Sequence, residues 1–120
     1  MTEPRFLAAR PNLPVSDVTR SVEFYRRVLG FEVRVDAPEF GLAVVGKEGA
    51  EIALLHAESP TPGGCYVSVQ GVDALHERCV EAGAVIAVAL ETHPWGMRDF
   101  VVADPDGHPI ALGEQVATAS

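Results

Sequence analysis

Histidines and cysteines are the residues of this chain with the clearest potential for metal or nucleophilic chemistry, and their spacing favours neither. No histidine has another histidine or a cysteine two or four residues away, the spacing that puts two ligands on one face of a strand or helix. Cys65 and Cys79 are predicted to be core residues. The sequence contains no Ser-His-Asp arrangement, glycine-rich phosphate loop or zinc spacing. The histidines are His56, His76, His93 and His108.

Two aromatic residues in loops are candidates for binding. Trp95, the single tryptophan, lies in His93-Pro-Trp-Gly96, and Phe40 directly precedes a glycine. An aromatic ring in such a loop can stack on a planar or cationic group, and a cation–π contact is worth about 0.5–2 kcal/mol. Structural roles compete with binding: Trp95 could cover a sheet edge or make a dimer contact, Phe40 could pack into the core, and Asp99 could pair with Arg98.

The first half of the chain predicts one helix among several strands. Ser16 or Asp17 can cap the helix, apolar residues then recur three and four residues apart, and Gly30 follows where a left-handed residue would end it. Alternating or short apolar runs predict strands at 7–15, 31–36, 41–46 and 51–56.

The second half repeats this order after the turn-rich segment 58–64. We predict a strand at 65–70, a helix at 72–82 capped by Asp73, and strands at 84–90, 98–103 and 108–114, with a loop at 91–96. Asp104-Pro-Asp-Gly107 favours a turn, because proline fixes φ and glycine permits a positive φ.

The two halves also resemble each other in sequence: 48–54 resembles 106–112. This internal duplication predicts an α+β fold of two βαβββ modules within one domain, 1–120. Module one covers about 5–57, the linker 58–64, and module two about 65–115. Each sheet should carry one helix on one face, so the other face must meet the second module or a ligand.

Composition narrows the function classes. Apolar residues make up 48% of the 120 residues, and no stretch is long and apolar enough to span a membrane. Acidic residues outnumber basic residues 17 to 9, which argues against nucleic acid and permits a cationic ligand. The charged, proline-containing N-terminus is unlike a signal peptide, and two cysteines fit a reducing compartment. We therefore expect a cytoplasmic protein.

Two motifs together resemble the vicinal oxygen chelate superfamily, which includes glyoxalase I, extradiol dioxygenases and bleomycin-resistance proteins. The first runs from Asp17 through Ser21, Phe24-Tyr25 and Leu29-Gly30-Phe31, and the second from Gly96 through Asp99-Phe100 to Asp104-Pro-Asp-Gly107. The resemblance extends over about 7–114. It implies curled mixed sheets that form a concave cup with the helices on the outer face, and it implies a homodimer in which modules can pair across chains.

The metal site of the superfamily's metal-dependent members is predicted to be lost. By resemblance, its ligands lie on the first and last strand of each module. The corresponding positions here are Arg10, Ala53, Gly64 and Ala111. None supplies the donor atoms that such a cation needs. We therefore expect no metal and no other cofactor.

Successive side chains of a strand point to opposite faces, and this alternation predicts which residues line the cup. Leu13, Val15, Phe100 and Val102 should face the helices, as should Val67, Val69, Ile110 and Leu112. The alternate set should face inward: Asn12, Ala53, Leu55, Tyr66, Ser68, Asp99, Val101, Ala111 and Gly113.

Among members of the superfamily, the chain most resembles the bleomycin-resistance proteins. The resemblance implies a metal-free binding protein, without catalysis, that sequesters a planar aromatic or cationic ligand such as a bleomycin-type antibiotic. Trp95 and Phe40 would stack, and Asp99 would counter a positive charge. Tyr66, Asn12 and Ser68 complete the predicted site. The alternatives are a divergent metal-dependent glyoxalase, lyase or dioxygenase, and a scaffold without a small ligand.

Overall fold

Two helices and eight strands form the fold in this computed structural model, which describes residues 3–5 and 7–117. A short 3₁₀ turn, Pro38–Phe40, lies between the second and third strands. The elements in chain order are β1 (Asn12–Val15), α1 (Val18–Leu29), β2 (Glu32–Ala37), β3 (Leu42–Lys47), β4 (Ala50–His56), β5 (Cys65–Ser68), α2 (Val72–Glu81), β6 (Val85–Thr92), β7 (Met97–Ala103) and β8 (Pro109–Gln115).

The strands form two open, mixed sheets of four. Their orders are β1-β4-β3-β2 and β5-β8-β7-β6, so the second sheet repeats the topology of the first. Strand β1 pairs in parallel with β4, and β5 pairs in parallel with β8. All other strand pairs are antiparallel. The predicted α+β fold of two βαβββ modules is confirmed.

Helix α1 begins and ends as its sequence predicts. The Asp17 carboxylate accepts a hydrogen bond of 3.0 Å from the Arg20 backbone N–H, so Asp17 is the cap. Gly30 ends the helix with φ of +73°, in the left-handed region that glycine adopts without a steric penalty.

Helix α2 begins differently, and the prediction that Asp73 caps it is wrong. Its cap position is Gly71, which has no capping side chain. Instead, Glu114 on β8 accepts a hydrogen bond of 3.0 Å from the Val72 N–H. Asp73 pairs with Arg98 on β7, at 2.7 Å. This long-range partner satisfies a helix N-terminus that the local sequence leaves open.

One core spans both modules. Helices α1 and α2 pack against each other and against their sheets, and a single cluster of buried apolar residues joins the two halves. The chain is only 24 Å thick along its shortest axis, the depth of one sheet layer and one helix layer. Each sheet therefore has one side toward the helices and an opposite side, which we call the open side.

The strand residues predicted to face the helices lie in or against the core. Leu13, Val15, Phe100, Val102, Ile110 and Leu112 are all buried in the shared core, and Val67 and Val69 pack against it.

Polar contacts hold the modules together beside this core. The Ser16 hydroxyl donates to the Asp106 carboxylate at 2.7 Å, and the Arg27 guanidinium donates to the Ala82 carbonyl at 2.6 Å. Burial tends to raise the pKa of Asp106, but hydrogen bonds from Ser16 and the nearby positive charge of Arg20 act against burial, and the net effect is a pKa below its usual value.

Strand boundaries differ from prediction mainly at the ends. Strand β1 covers only Asn12–Val15 rather than 7–15, and 7–10 are exposed without regular structure. Pro11 and Pro14 lack N–H groups, which limits ladder formation here. Strand β6 continues to Thr92, leaving a shorter turn than the predicted loop 91–96. Within the described residues, neither helix is long and apolar enough to cross a bilayer.

Candidate functional site

Three side chains on the open side of module two form a hydrogen-bonded cluster. The Asp99 carboxylate accepts from the Tyr66 hydroxyl at 2.9 Å through Oδ2, and its Oδ1 lies 2.7 Å from Nε2 of His93. The side chains of Asp99 and His93 are only 18% and 19% exposed. A charged acceptor between two donors makes strong hydrogen bonds in such a shielded place, so Asp99 organises the cluster.

The turn between β6 and β7 presents Trp95 next to this cluster. The His93 N–H donates to the Met97 carbonyl at 2.7 Å, and the Gly96 N–H donates back to the His93 carbonyl at 3.1 Å. Gly96 has φ of +91°, which a residue with a side chain rarely adopts. These bonds close a tight turn with Trp95 at its tip.

The Trp95 indole stacks on the His93 imidazole. Their ring centroids are 4.4 Å apart and their planes differ by 2°. Trp95 is nevertheless 70% exposed. One face of the indole is therefore covered by the imidazole, while the rest of the ring remains accessible. This arrangement can stack on a further planar group.

Gly113 makes room for the Tyr66 ring. It pairs with Ser68 on one side and Asp99 on the other. A Cβ atom at Gly113 would collide with the Tyr66 hydroxyl and lie 3.0 Å from the Asp99 Cβ. The Tyr66 ring therefore lies directly over the backbone of Gly113, and its hydroxyl reaches Asp99. Burial, followed by the hydrogen bond to Asp99, raises the pKa of Tyr66, so the hydroxyl keeps its proton and remains the donor.

The six predicted site residues fall into two groups. Tyr66, Ser68, Asp99 and Trp95 belong to module two, and all but Ser68 take part in the cluster or its stack. Ser68 pairs with Gly113 on the same side of the sheet. Asn12 and Phe40 belong to module one, and no hydrogen bond or ring stacking within the described chain joins them to the cluster. The predicted set is therefore divided between the sheets.

Two structural alternatives for these residues are wrong. Phe40 does not pack into the core, because it is 82% exposed at the end of the 3₁₀ turn. Asp99 does not pair with Arg98, because neighbouring strand residues point to opposite sides. Arg98 instead bonds to Asp73 and to the Thr92 hydroxyl.

His93 is the residue that sequence reasoning left out of the site. As a metal ligand, His93 is excluded by its spacing from other histidines, and the sequence analysis assigns it no other role. A usable signal is the short loop between two predicted strands: if these strands pair as a hairpin, His93 and Asp99 flank the turn at Trp95 and come close across it.

The positions predicted from the metal-dependent members do not fit a metal. The two last-strand positions are alanines: Ala53 pairs with Asn12 on β1, and Ala111 pairs with Tyr66 on β5. Arg10 lies 3.6 Å from Glu51, whose pKa is lowered chiefly by a hydrogen bond from Arg34. Among residues 3–5 and 7–117, no three His, Cys, Asp or Glu side chains converge on a common point.

A wide groove lies elsewhere, between the modules. It encloses about 1010 Å³ beside the β3–β4 turn and the start of α2, and Ser68 is the only predicted site residue in its wall. Phe31, Arg78 and Glu114 are among its other wall residues. Glu114 and Arg78 in this wall already bond to backbone groups, and the described residues that line the groove include no tryptophan or tyrosine ring for stacking. The aromatic cluster is the stronger candidate site.

The sequence profile of the Glyoxalase/Bleomycin resistance protein/Dioxygenase superfamily matches residues 7–112. The chain belongs to this superfamily. It is 30% identical to a bleomycin resistance protein of Geobacillus stearothermophilus in an alignment of 131 positions that covers 92% of this chain and 98% of that protein. An uncharacterised protein of Mycobacterium bovis is 32% identical in an alignment of 134 positions that covers 91% of this chain and 84% of the relative.

Solved structures share the fold. TioX from Micromonospora superimposes with a TM-score of 0.81 at 26% identity, covering 89% of this chain and 97% of TioX. The bleomycin resistance determinant encoded on transposon Tn5 superimposes with a TM-score of 0.80 at 22% identity, covering 92% and 98% of the two chains.

Proposed function

We propose that this protein is a metal-free binding protein that sequesters a planar aromatic or cationic molecule, with a bleomycin-type antibiotic as the leading candidate. The observation that carries the proposal is the Trp95 indole, supported on one face and accessible elsewhere, beside an anionic cluster. The net charge of −8 favours a cationic ligand. The 30% identity to a bleomycin resistance protein over nearly the full length supports the choice of antibiotic.

The absence of catalysis is part of the proposal. The aligned metal positions carry Arg10, Ala53, Gly64 and Ala111, which do not form a ligand set. Binding by stacking, hydrogen bonds and charge needs no reaction. We place this activity in the cytoplasm, where Cys65 and Cys79 would persist as free thiols.

We further propose that the working form is a homodimer. The predicted aromatic residue Phe40 lies in module one and Trp95 in module two, so a second copy could bring one chain's open side against the other's. Exposed valines on the edge strands support such a partner: Val33 and Val35 are 40% and 42% exposed, and Val88 is 51% exposed. Exposed apolar edge strands are unfavourable unless something covers them.

Fluorescence of the single tryptophan tests the binding proposal directly. Saturable quenching by bleomycin is expected, because the ligand would stack on Trp95. Calorimetry then compares the wild type with Trp95→Ala and Phe40→Ala, which should each lose affinity. Val80→Ala is the matched control, since Val80 is 53% exposed on α2, away from the open side.

Three results would count against the proposal. A flat fluorescence and heat titration with bleomycin and other planar cationic drugs would remove the binding role. Stoichiometric nickel, zinc, manganese or iron in the purified protein would instead favour the metal-dependent enzyme. A monomer by sedimentation, at concentrations where bleomycin binds, would contradict the dimer alone.

A further inference from the structure

We propose that His93 belongs to the binding site as the support of the Trp95 indole, and that the site selects planar ligands that donate hydrogen bonds over planar anions. The inference rests on the proposed function and deepens it. It adds His93 to the site, and it makes Asp99 a positioning residue whose carboxylate acts mainly through Tyr66 and His93.

Two contacts fix the His93 ring. Asp99 lies 2.7 Å from Nε2, which sets the orientation of the imidazole in its own plane, and Trp95 lies parallel to the ring. His93 is shielded whereas Trp95 is mostly exposed. The chain of contacts therefore runs from a shielded carboxylate through a shielded ring to an exposed ring, and a ligand stacked on the indole would form the next layer.

The remaining polar atoms of the cluster are acceptors. The Tyr66 hydroxyl has donated its hydrogen to Asp99, so its oxygen can only accept from a ligand. The Asp99 carboxylate only accepts. When neutral His93 donates through Nε2, its Nδ1 is an acceptor as well. A protonated aromatic amine complements these lone pairs, while a carboxylate or sulfonate would be repelled.

The charged residues around the cluster also favour a cationic ligand. Glu91 on β6 pairs with Asp99 and adds a second carboxylate on this side of the sheet. The nearest basic residue in sequence, Arg98, is held by Asp73 on the other side. Tyr66 keeps its proton, so Asp99, Glu91 and His93 determine the charge near the indole.

Protonation of His93 would oppose a cationic ligand. It would place a positive charge against one face of the indole and convert Nδ1 from an acceptor into a donor. Binding of a permanently cationic planar ligand should therefore be weaker when His93 carries the extra proton than when it is neutral.

Aminoacridine and anthracene carboxylate are suitable probes, because they are tricyclic planes of similar size and opposite charge. We expect the wild type to bind 9-aminoacridine at least about tenfold more tightly than the anion, and to lose affinity on acidification as His93 gains a proton. 9-Aminoacridine is a cation at neutral and acidic pH, so the change reports on the protein.

Two variants separate the ring from its hydrogen bond. His93→Phe keeps a ring beneath Trp95 but has no proton to gain, so its binding of aminoacridine should lack the pH dependence of the wild type. His93→Gln keeps a donor for Asp99 but has no ring, so it should bind more weakly at every pH. His56→Gln, at an exposed histidine of module one, is the matched control and should keep the wild-type profile.

A double-mutant cycle with Trp95→Ala tests whether His93 acts through the indole. Trp95→Ala should abolish most of the effect of His93→Gln. Thermal midpoints of all variants verify that they remain folded. The inference is overturned if both probes bind equally, or if His93→Phe keeps the wild-type pH profile. His93-dependent binding of aminoacridine without binding of bleomycin would support this inference and reject the antibiotic as ligand.

Discussion

The Tyr25 hydroxyl in α1 donates a hydrogen bond of 2.9 Å to the Asp104 carboxylate directly after β7, and both side chains are buried. The other Asp104 oxygen accepts from the backbone N–H groups of Asp106 and His108. Burial, and then the Asp104 charge, raises the pKa of Tyr25, so the phenol stays protonated as the donor. This contact joins the helix of module one to the turn of module two.

Removal of the Tyr25 hydroxyl should weaken the joint between the modules. Tyr25→Phe leaves one oxygen of a buried carboxylate without its partner, so we expect a loss of about 1–3 kcal/mol in the free energy of unfolding. Urea denaturation measures this loss. Tyr66→Phe, which removes a hydroxyl from a half-exposed pair, should cost less than about 1 kcal/mol. Equal losses in the two variants would contradict a special role for the buried pair.

His108 should tie the linker to the first strand. It is fully buried, its Nδ1 accepts a hydrogen bond of 2.8 Å from the Gly63 N–H, and its Nε2 contacts the Pro14 carbonyl. His108→Phe keeps a ring but leaves both backbone groups unpaired, so a loss of about 1–3 kcal/mol is expected.

Hydrogen exchange can localise this effect of His108→Phe. The Gly63 amide should exchange faster in the variant. His76→Phe serves as the control, because His76 packs edge-on against Phe100, and none of the hydrogen bonds found in the described chain involves it. Unchanged exchange at Gly63 in His108→Phe would show that the linker is held by other contacts.

Gly113→Ala should disrupt the aromatic cluster while leaving the fold intact. The new methyl group would displace the Tyr66 ring, which must then leave Asp99. We expect a cost of about 1–3 kcal/mol from overpacking and a pKa of Tyr66 that falls back toward its usual value. Absorbance titration of the phenols measures the second effect. Gly49→Ala is the control, because no atom lies within 4 Å of a Cβ placed there.

Cys79 should make the protein less stable at high pH. Burial raises the pKa of this thiol from its usual 9.0 to about 11. The unfolded chain therefore loses the thiol proton first, and stability should fall as the pH rises from about 9 toward about 11. Denaturation of the wild type and Cys79→Ala across this range measures the difference in slope. Identical slopes would mean that Cys79 titrates normally in the fold.

The fold could be predicted because its signals are local and repeated. Spacing of apolar residues, the cap at Asp17, the glycine after each helix and the Asp104–Gly107 turn all specify structure within a few residues. The start of α2 could not be predicted in this way. Its partner, Glu114, lies 42 positions from Val72 and becomes a neighbour only when β8 pairs with β5.

The site was predicted only in part for a related reason. The alternation of side chains along a strand predicts that Tyr66 and Asp99 lie on one side of the sheet. Their mutual hydrogen bond, however, depends on the space left by Gly113 on the strand between them, and this can be seen only in the folded structure. The approach of His93 to Asp99 depends on the register of β6 and β7, which shifts at two irregularities between Ile86 and Glu91. Such bulges change the pairing without a clear sequence signal.

The separation of the two sides of each sheet has an evolutionary consequence. Residues toward the helices carry the cohesion of the whole chain, while alternate residues on the same strands form the proposed recognition surface. Substitutions at recognition positions can accumulate without weakening the packing that maintains the fold. A lineage built this way can acquire new specificities by drift and selection on one set of positions, which suits a scaffold shared by enzymes and drug-resistance proteins.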